Sequence, residues 1–113
     1  MSPAPGGLEA FEALDLRVGT VREVLAFPEA ARAAWKIGVD FGPERGLLWT
    51  SAQATGYPAE ALMGRQVVGV LGIGPKRIAG FVSQFLLLGA YGDDAALRLL
   101  GPDGEVPPGA KVL

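Results

Sequence analysis

The sequence predicts a mainly β, single-domain barrel, on three observations. The chain has 113 residues and 11.7 kDa, the size of one hydrophobic core. Its 17 glycines and 9 prolines are spread between apolar runs, where they punctuate turns and do not form a disordered tract. Trp35, Ile37, Val39 and Phe41 alternate with Lys36, Gly38 and Asp40, the period of a strand with one buried face.

The elements follow in chain order. Residues 1–7 read as a flexible N-terminus, and 8–113 as the domain. Leu8, Phe11 and Leu14 recur at helical spacing with Glu9 and Glu12 between them, and Asp15 closes that turn or two of helix. Leu16 to Leu25 begins with alternation and loses phase after Gly19, which predicts one long strand bent at a bulge and ended by Phe27-Pro28. The Ala-rich stretch from Glu29 to Ala34 is a loop with a helical turn. After the strand from Trp35 to Phe41, Gly42-Pro43-Glu44-Arg45-Gly46 has the length of a hairpin connection, and Leu47 to Ser51 form the third strand. Pro58 before Ala59 to Met63 and Gly64 after them frame a short helix. Arg65 to Leu71 are a fourth strand, Gly72 to Arg77 a loop, and Phe81 to Leu88 a fifth strand. The remaining residues alternate turn signals with short apolar pieces at Leu97 to Leu100 and Lys111 to Leu113. A bent strand, a meander, a short helix and two more strands is the order of an OB-fold, a five-stranded Greek-key barrel with short terminal extensions. A six-stranded sandwich is the alternative.

Composition narrows the function. His and Cys are absent, which excludes His/Cys zinc sites, disulfides, cysteine nucleophiles and any triad with an imidazole base. The serines are Ser2, Ser51 and Ser83, and none has a His to activate it. The carboxylates read as surface partners or turn residues. Asp40-Phe41-Gly42 matches a kinase signature, but no glycine-rich nucleotide loop precedes it. Gly72-Ile73-Gly74 opens like a dinucleotide fingerprint but lacks the third glycine. No enzyme activity, metal or cofactor is therefore expected. The absence of Asn and Cys, with seven Arg against three Lys, fits either a thermophile or a GC-rich genome. Val67 to Ile73 and Phe85 to Ala90 fall short of the roughly 20 residues that span a bilayer, and no signal peptide is recognisable, so a cytoplasmic location without membrane insertion is expected.

A net charge of -2 excludes a protein that coats nucleic acid by bulk charge, so any such role rests on a local patch. Lys76-Arg77, in a Gly/Pro-rich loop, are placed either to meet phosphate or simply to solvate that loop. Lys36, Arg65, Arg17 and Arg22 are candidates to extend the patch. A mean hydropathy of +0.31 is high for so short a chain, which points to a homo-oligomer. Either Leu48 or Trp49 faces outward, since both faces of their strand cannot be buried in one small barrel. An outward Trp49 stacks on a base, grips an apolar peptide side chain or lies at a dimer seam.

Taken together, several segments resemble the CsaA family, the compact tRNA-binding domains similar to those appended to methionyl- and phenylalanyl-tRNA synthetases and to endothelial monocyte-activating polypeptide. The matching segments are Phe11 to Val21, Phe27 to Ala30, Lys36 with Val39 to Gly42, Ser51-Ala52-Gln53 with Thr55 and Tyr57, Gly64 to Val68, Pro75 to Phe81, Ser83, Leu86 to Ala90, and the C-terminal Pro102-Asp103, Val106-Pro107 and Gly109-Ala110-Lys111. The resemblance implies an OB-fold homodimer whose chain ends help build the interface. It also implies two activities: an export-related chaperone function on unfolded or pre-secretory polypeptides, and recognition of tRNA by shape. The tRNA-contacting region of the family maps onto Lys76, Arg77, Ser83 and Gln84, with Ser51 and Gln53 as the polar part of the same face and Lys36 beside them. Phe27, Trp49 and Ile73 are the exposed apolar candidates for holding a polypeptide. Where the family loop reads Asn, apolar, Pro, Pro, this chain has Gly72-Ile73-Gly74-Pro75. Trp49 replaces a Lys or Gln, and Leu86 replaces a Met. Each departure weakens direct RNA contact and adds apolar surface. A tRNA-binding protein without chaperone activity is the alternative reading.

Overall fold

The computed structural model describes residues 6–113. The expected flexible N-terminus lies outside them, apart from Gly6 and Gly7. Gly7 is the first residue of helix α1 (Gly7–Leu14), which Asp15 closes in the left-handed conformation at φ 50°. Five antiparallel strands follow the order β3-β2-β1-β4-β7: β1 is Leu16–Ala26, β2 Trp35–Asp40, β3 Leu47–Ala52, β4 Gln66–Val70 and β7 Leu86–Leu87. Helix α2 (Ala59–Leu62) sits between β3 and β4, with Pro58 before it and Gly64 after it at φ 80°. This is the nearly closed OB barrel expected from the strand order.

The core is the inner face of that barrel. Val21, Ile37, Val39, Phe41, Leu62, Val67 and Phe85 form one buried cluster, with Phe41 and Phe85 edge to face at 4.9 Å between ring centres. β1 bends where its register with β2 shifts between Val21 and Glu23, two residues later than the glycine expected to mark the bulge. Gly19 serves packing instead, since a Cβ there would lie 2.4 Å from Val39 Cγ1 and 2.8 Å from the Phe41 ring.

The predicted fifth strand, Phe81 to Leu88, is two shorter ones, β6 (Phe81–Ser83) and β7, and the expected loop before it runs into another, β5 (Lys76–Ile78). β5 and β6 make a hairpin, β7 pairs with β4, and β8 (Gly89–Tyr91) pairs with β9 (Leu97–Leu99). The inward-outward alternation persists: Ser83, Phe85 and Leu87 are buried while Val82, Gln84 and Leu86 are exposed. What changes along the segment is the hydrogen-bonding partner, so one apolar period spans two ladders, β5–β6 and β4–β7. At the switch, Gln84 closes the barrel against β3. Its backbone N–H donates to the Trp49 carbonyl at 2.7 Å, and its side-chain Oε1 accepts from the Trp49 N–H at 2.8 Å.

Candidate nucleic-acid interface

The outer face of β2 and β3 is set by register. Lys36 stands opposite Ser51, and Gly38 opposite Trp49. Leu48 packs against the core cluster, so Trp49 is the residue that faces out. It remains half-buried because its indole lies over Gly38, where a Cβ would come within 3.1 Å of the ring.

Ser51 leads on to the hairpin. Its backbone N–H donates to Ser83 Oγ at 3.0 Å, and Ser83 pairs in register with Lys76. Lys36, Ser51, Ser83 and Lys76 therefore form a continuous line from β2 to β5. Strand alternation turns Arg77 to the other face of the hairpin, opposite Val82, where its guanidinium donates to the Gly80 carbonyl at 3.3 Å. Ser83 is buried, and its hydroxyl lies 3.3 Å from Thr50 Oγ1 and 3.4 Å from Ser51 Oγ. It thus supports the face from beneath. Gln84 and Gln53 are exposed.

The other basic candidates stand elsewhere. Arg17 and Arg45 flank Asp15 at 2.7 and 3.7 Å, Arg22 lies 3.9 Å from Asp40, and Arg65 covers the Tyr57 ring at 4.9 Å. Lys36, Lys76 and Arg77 have no salt-bridge partner among the described residues. Arg32, Arg65 and Lys111 also lack one, but Lys36 and Lys76 are the two that the strand register brings to the Ser51–Ser83 line.

Beside this face lies an apolar groove of about 570 Å³, lined by Phe27, the Ala30 to Arg32 loop, Ser51, Gln53, Ile78, Leu86, Tyr91 and Leu97. One expectation needs correcting here. Phe27 is only 4% exposed, so it is a wall of the groove and not a free apolar group. Its ring packs edge-on against Phe81 at 5.5 Å. Trp49 and Ile73 do not line the groove, although Ile73 is half exposed on the loop after β4. Ile78, Leu86, Tyr91, Leu97 and Arg32 were missed as site residues. Ile78, Tyr91 and Leu97 fall on strands too short to carry a period, the period that exposes Leu86 does not say what it faces, and Arg32 sits in an Ala-rich loop without a motif. Among the described residues no cluster of carboxylates could hold a metal, and no helix is long and apolar enough to cross a membrane.

Comparison with known proteins agrees with this geometry. Residues 16–111 match a family described as "Putative tRNA binding domain". Among solved structures, the CsaA chaperone protein of Picrophilus torridus superposes with a TM-score of 0.89 at 38% identity, covering 96% of this chain and all of that one. Chaperone CsaA of Bacillus anthracis gives 0.87 at 42% identity, covering 97% of this chain and all of that one. A methionine–tRNA ligase of Parabacteroides distasonis is 35% identical over 102 residues, 90% of this chain but only 15% of the ligase.

Proposed function

The chain belongs to the tRNA-binding domain family, in its CsaA-like branch, and from that premise we propose that it binds tRNA across the face made by β2, β3 and the β5–β6 hairpin. The observation that carries this reading is the line of Lys36, Ser51, Ser83 and Lys76, whose two cations have no carboxylate partner among the described residues. Lys36 and Lys76 flank the Ser51–Ser83 line, and Arg77 is on the far side of the same hairpin. Phosphates on either side of the hairpin would find a positive group, and the Gln53 and Gln84 amides would supply hydrogen bonds without adding charge. Shape-selective binding of this kind needs few base contacts.

NMR mapping of the backbone amides on addition of tRNA tests the reading. Shifts are expected at Lys36, Ser51, Gln84 and residues 76 to 83. Shifts confined to the Arg22 and Arg65 side of the barrel would refute it.

A second activity, capture of unfolded or pre-secretory polypeptides, is favoured by the groove. Leu86 and Tyr91 leave apolar surface open beside Phe27. Each ligand side chain buried there contributes about 1.5 to 3 kcal/mol, enough for reversible capture when several act together. Suppression of aggregation of a denatured client tests it: Leu86→Asp should abolish the effect, and undiminished suppression would remove the groove from the account. Exposed Leu8, Leu14, Leu100 and Leu113 provide the apolar surface for the homodimer in which we place the chain. Light scattering at one chain's 11.7 kDa would refute the dimer. With tRNA as ligand, the working compartment is the cytoplasm.

A further inference from the structure

Lys36 occupies an unusual setting for a cation on a β-strand. Its Nζ lies 4.8 Å from the centre of the Phe27 ring and 5.2 Å from that of Phe81. Both distances are within the range at which an aromatic face attracts an ammonium. The two rings are themselves in edge contact, so they form one rigid corner. They come from distant parts of the chain. Phe27 follows β1, while Phe81 opens β6 and pairs with Ile78 across the hairpin that carries Lys76.

The choice of partner matters chemically. A carboxylate beside Lys36 would fix the side chain but cancel its charge toward a ligand. Aromatic faces fix it and carry no net charge, so the field of the ammonium is preserved. An ammonium has three donor hydrogens, and ring faces do not use them as hydrogen bonds to oxygen do. A lysine side chain also loses considerable rotamer freedom when it is ordered, and a side chain already ordered loses less on binding.

We infer that Phe27 and Phe81 are positioning residues that hold the Lys36 ammonium in place for an RNA backbone phosphate, and that the same contact fixes the Lys76-bearing hairpin relative to it. This rests on the tRNA reading above. The corner does three things at once: it pre-orders one cation, keeps it uncompensated, and sets its spacing from a second.

The experiment is a double-mutant cycle on tRNA affinity with Lys36→Gln, Phe81→Leu and the two combined, with Phe81→Tyr as the ring-retaining control. Phe81→Leu keeps a large apolar side chain at a half-buried site and removes the ring face. It should weaken binding about 3- to 10-fold in the wild-type background and by less than about twofold when Gln stands at 36. Phe81→Tyr should bind like the wild type. An independent readout is the Lys36 ε-methylene proton resonances, displaced by ring currents in the wild type and in Phe81→Tyr, and returned toward free-lysine positions in Phe81→Leu. An equal loss from Phe81→Leu in both backgrounds, or undisplaced Lys36 resonances in the wild type, overturns the inference while tRNA binding stands. A wild-type protein that binds no tRNA overturns the underlying reading, and the inference with it.

Discussion

Replacing Ser83 by Ala separates support from contact on the proposed face. Ser83 Oγ accepts the Ser51 N–H at 3.0 Å and lies within 3.4 Å of the Thr50 and Ser51 hydroxyls. Ser83 is only 7% exposed, and no buried side-chain polar atom among the described residues lacks a partner. The substitution leaves the Ser51 N–H facing a methyl group. An unsatisfied buried donor costs about 1 to 3 kcal/mol. Unfolding entropy of about 2.1 cal/mol/K per residue gives this chain about 0.24 kcal/mol/K, so Tm should fall by about 4 to 13 °C. Calorimetry measures this, and tRNA affinity at a temperature far below the transition should keep its salt dependence because no charge is lost. A Tm within about 2 °C of wild type would refute the claim that the hydroxyl cluster holds β3 to the hairpin.

Other substitutions test neighbouring parts of the account. Gly38→Val should lift the Trp49 indole from β2, since even a Cβ comes within 3.1 Å of the ring; acrylamide quenching in a Trp35→Phe background should rise. Gly19→Ala should destabilise the barrel by about 1 to 3 kcal/mol through overpacking against Val39 and Phe41, read from the midpoint of urea unfolding. The Asp94 carboxylate is held below its usual range, chiefly by the Ala96 N–H at 3.0 Å and further by Arg98 at 2.9 Å, against opposing desolvation. Its lowered folded pKa means that its support of the β8–β9 turn is present above the unfolded carboxylate pKa and disappears as pH falls through the folded value. The Ala96 amide resonance should report that titration, and Asp94→Asn should abolish it.

Legibility in the sequence followed the physical reach of each signal. β2 was plain because Trp35, Ile37, Val39 and Phe41 keep one face against one core. α2 was framed by Pro58 and Gly64, whose backbone preferences are local. The segment from Phe81 to Leu88 was legible as a period but not as a set of pairings, because alternation says which face is buried and not which strand lies alongside. The loss of phase after Gly19 points to a bend at that residue, whereas the glycine answers to Val39 and Phe41 across the barrel. Lys76 and Arg77 stood out as adjacent charges, yet only the hairpin register shows that they serve opposite faces. The burial of Phe27 is not legible locally because its partner Phe81 lies 54 positions further on. Long-range contacts of that kind leave no trace in a local window.

The salt dependence of tRNA affinity tests the proposed interface most directly. Three phosphate contacts by Lys36, Lys76 and Arg77, each with a slope of about 0.7 to 0.9, predict that affinity falls about 20- to 40-fold between about 50 and 200 mM salt. With Lys76→Ala and Arg77→Ala combined, one contact remains and the fall should shrink to about 3-fold. An unchanged slope in the double variant would mean that the phosphates lie elsewhere on the molecule, and would contradict the interface assigned to this face.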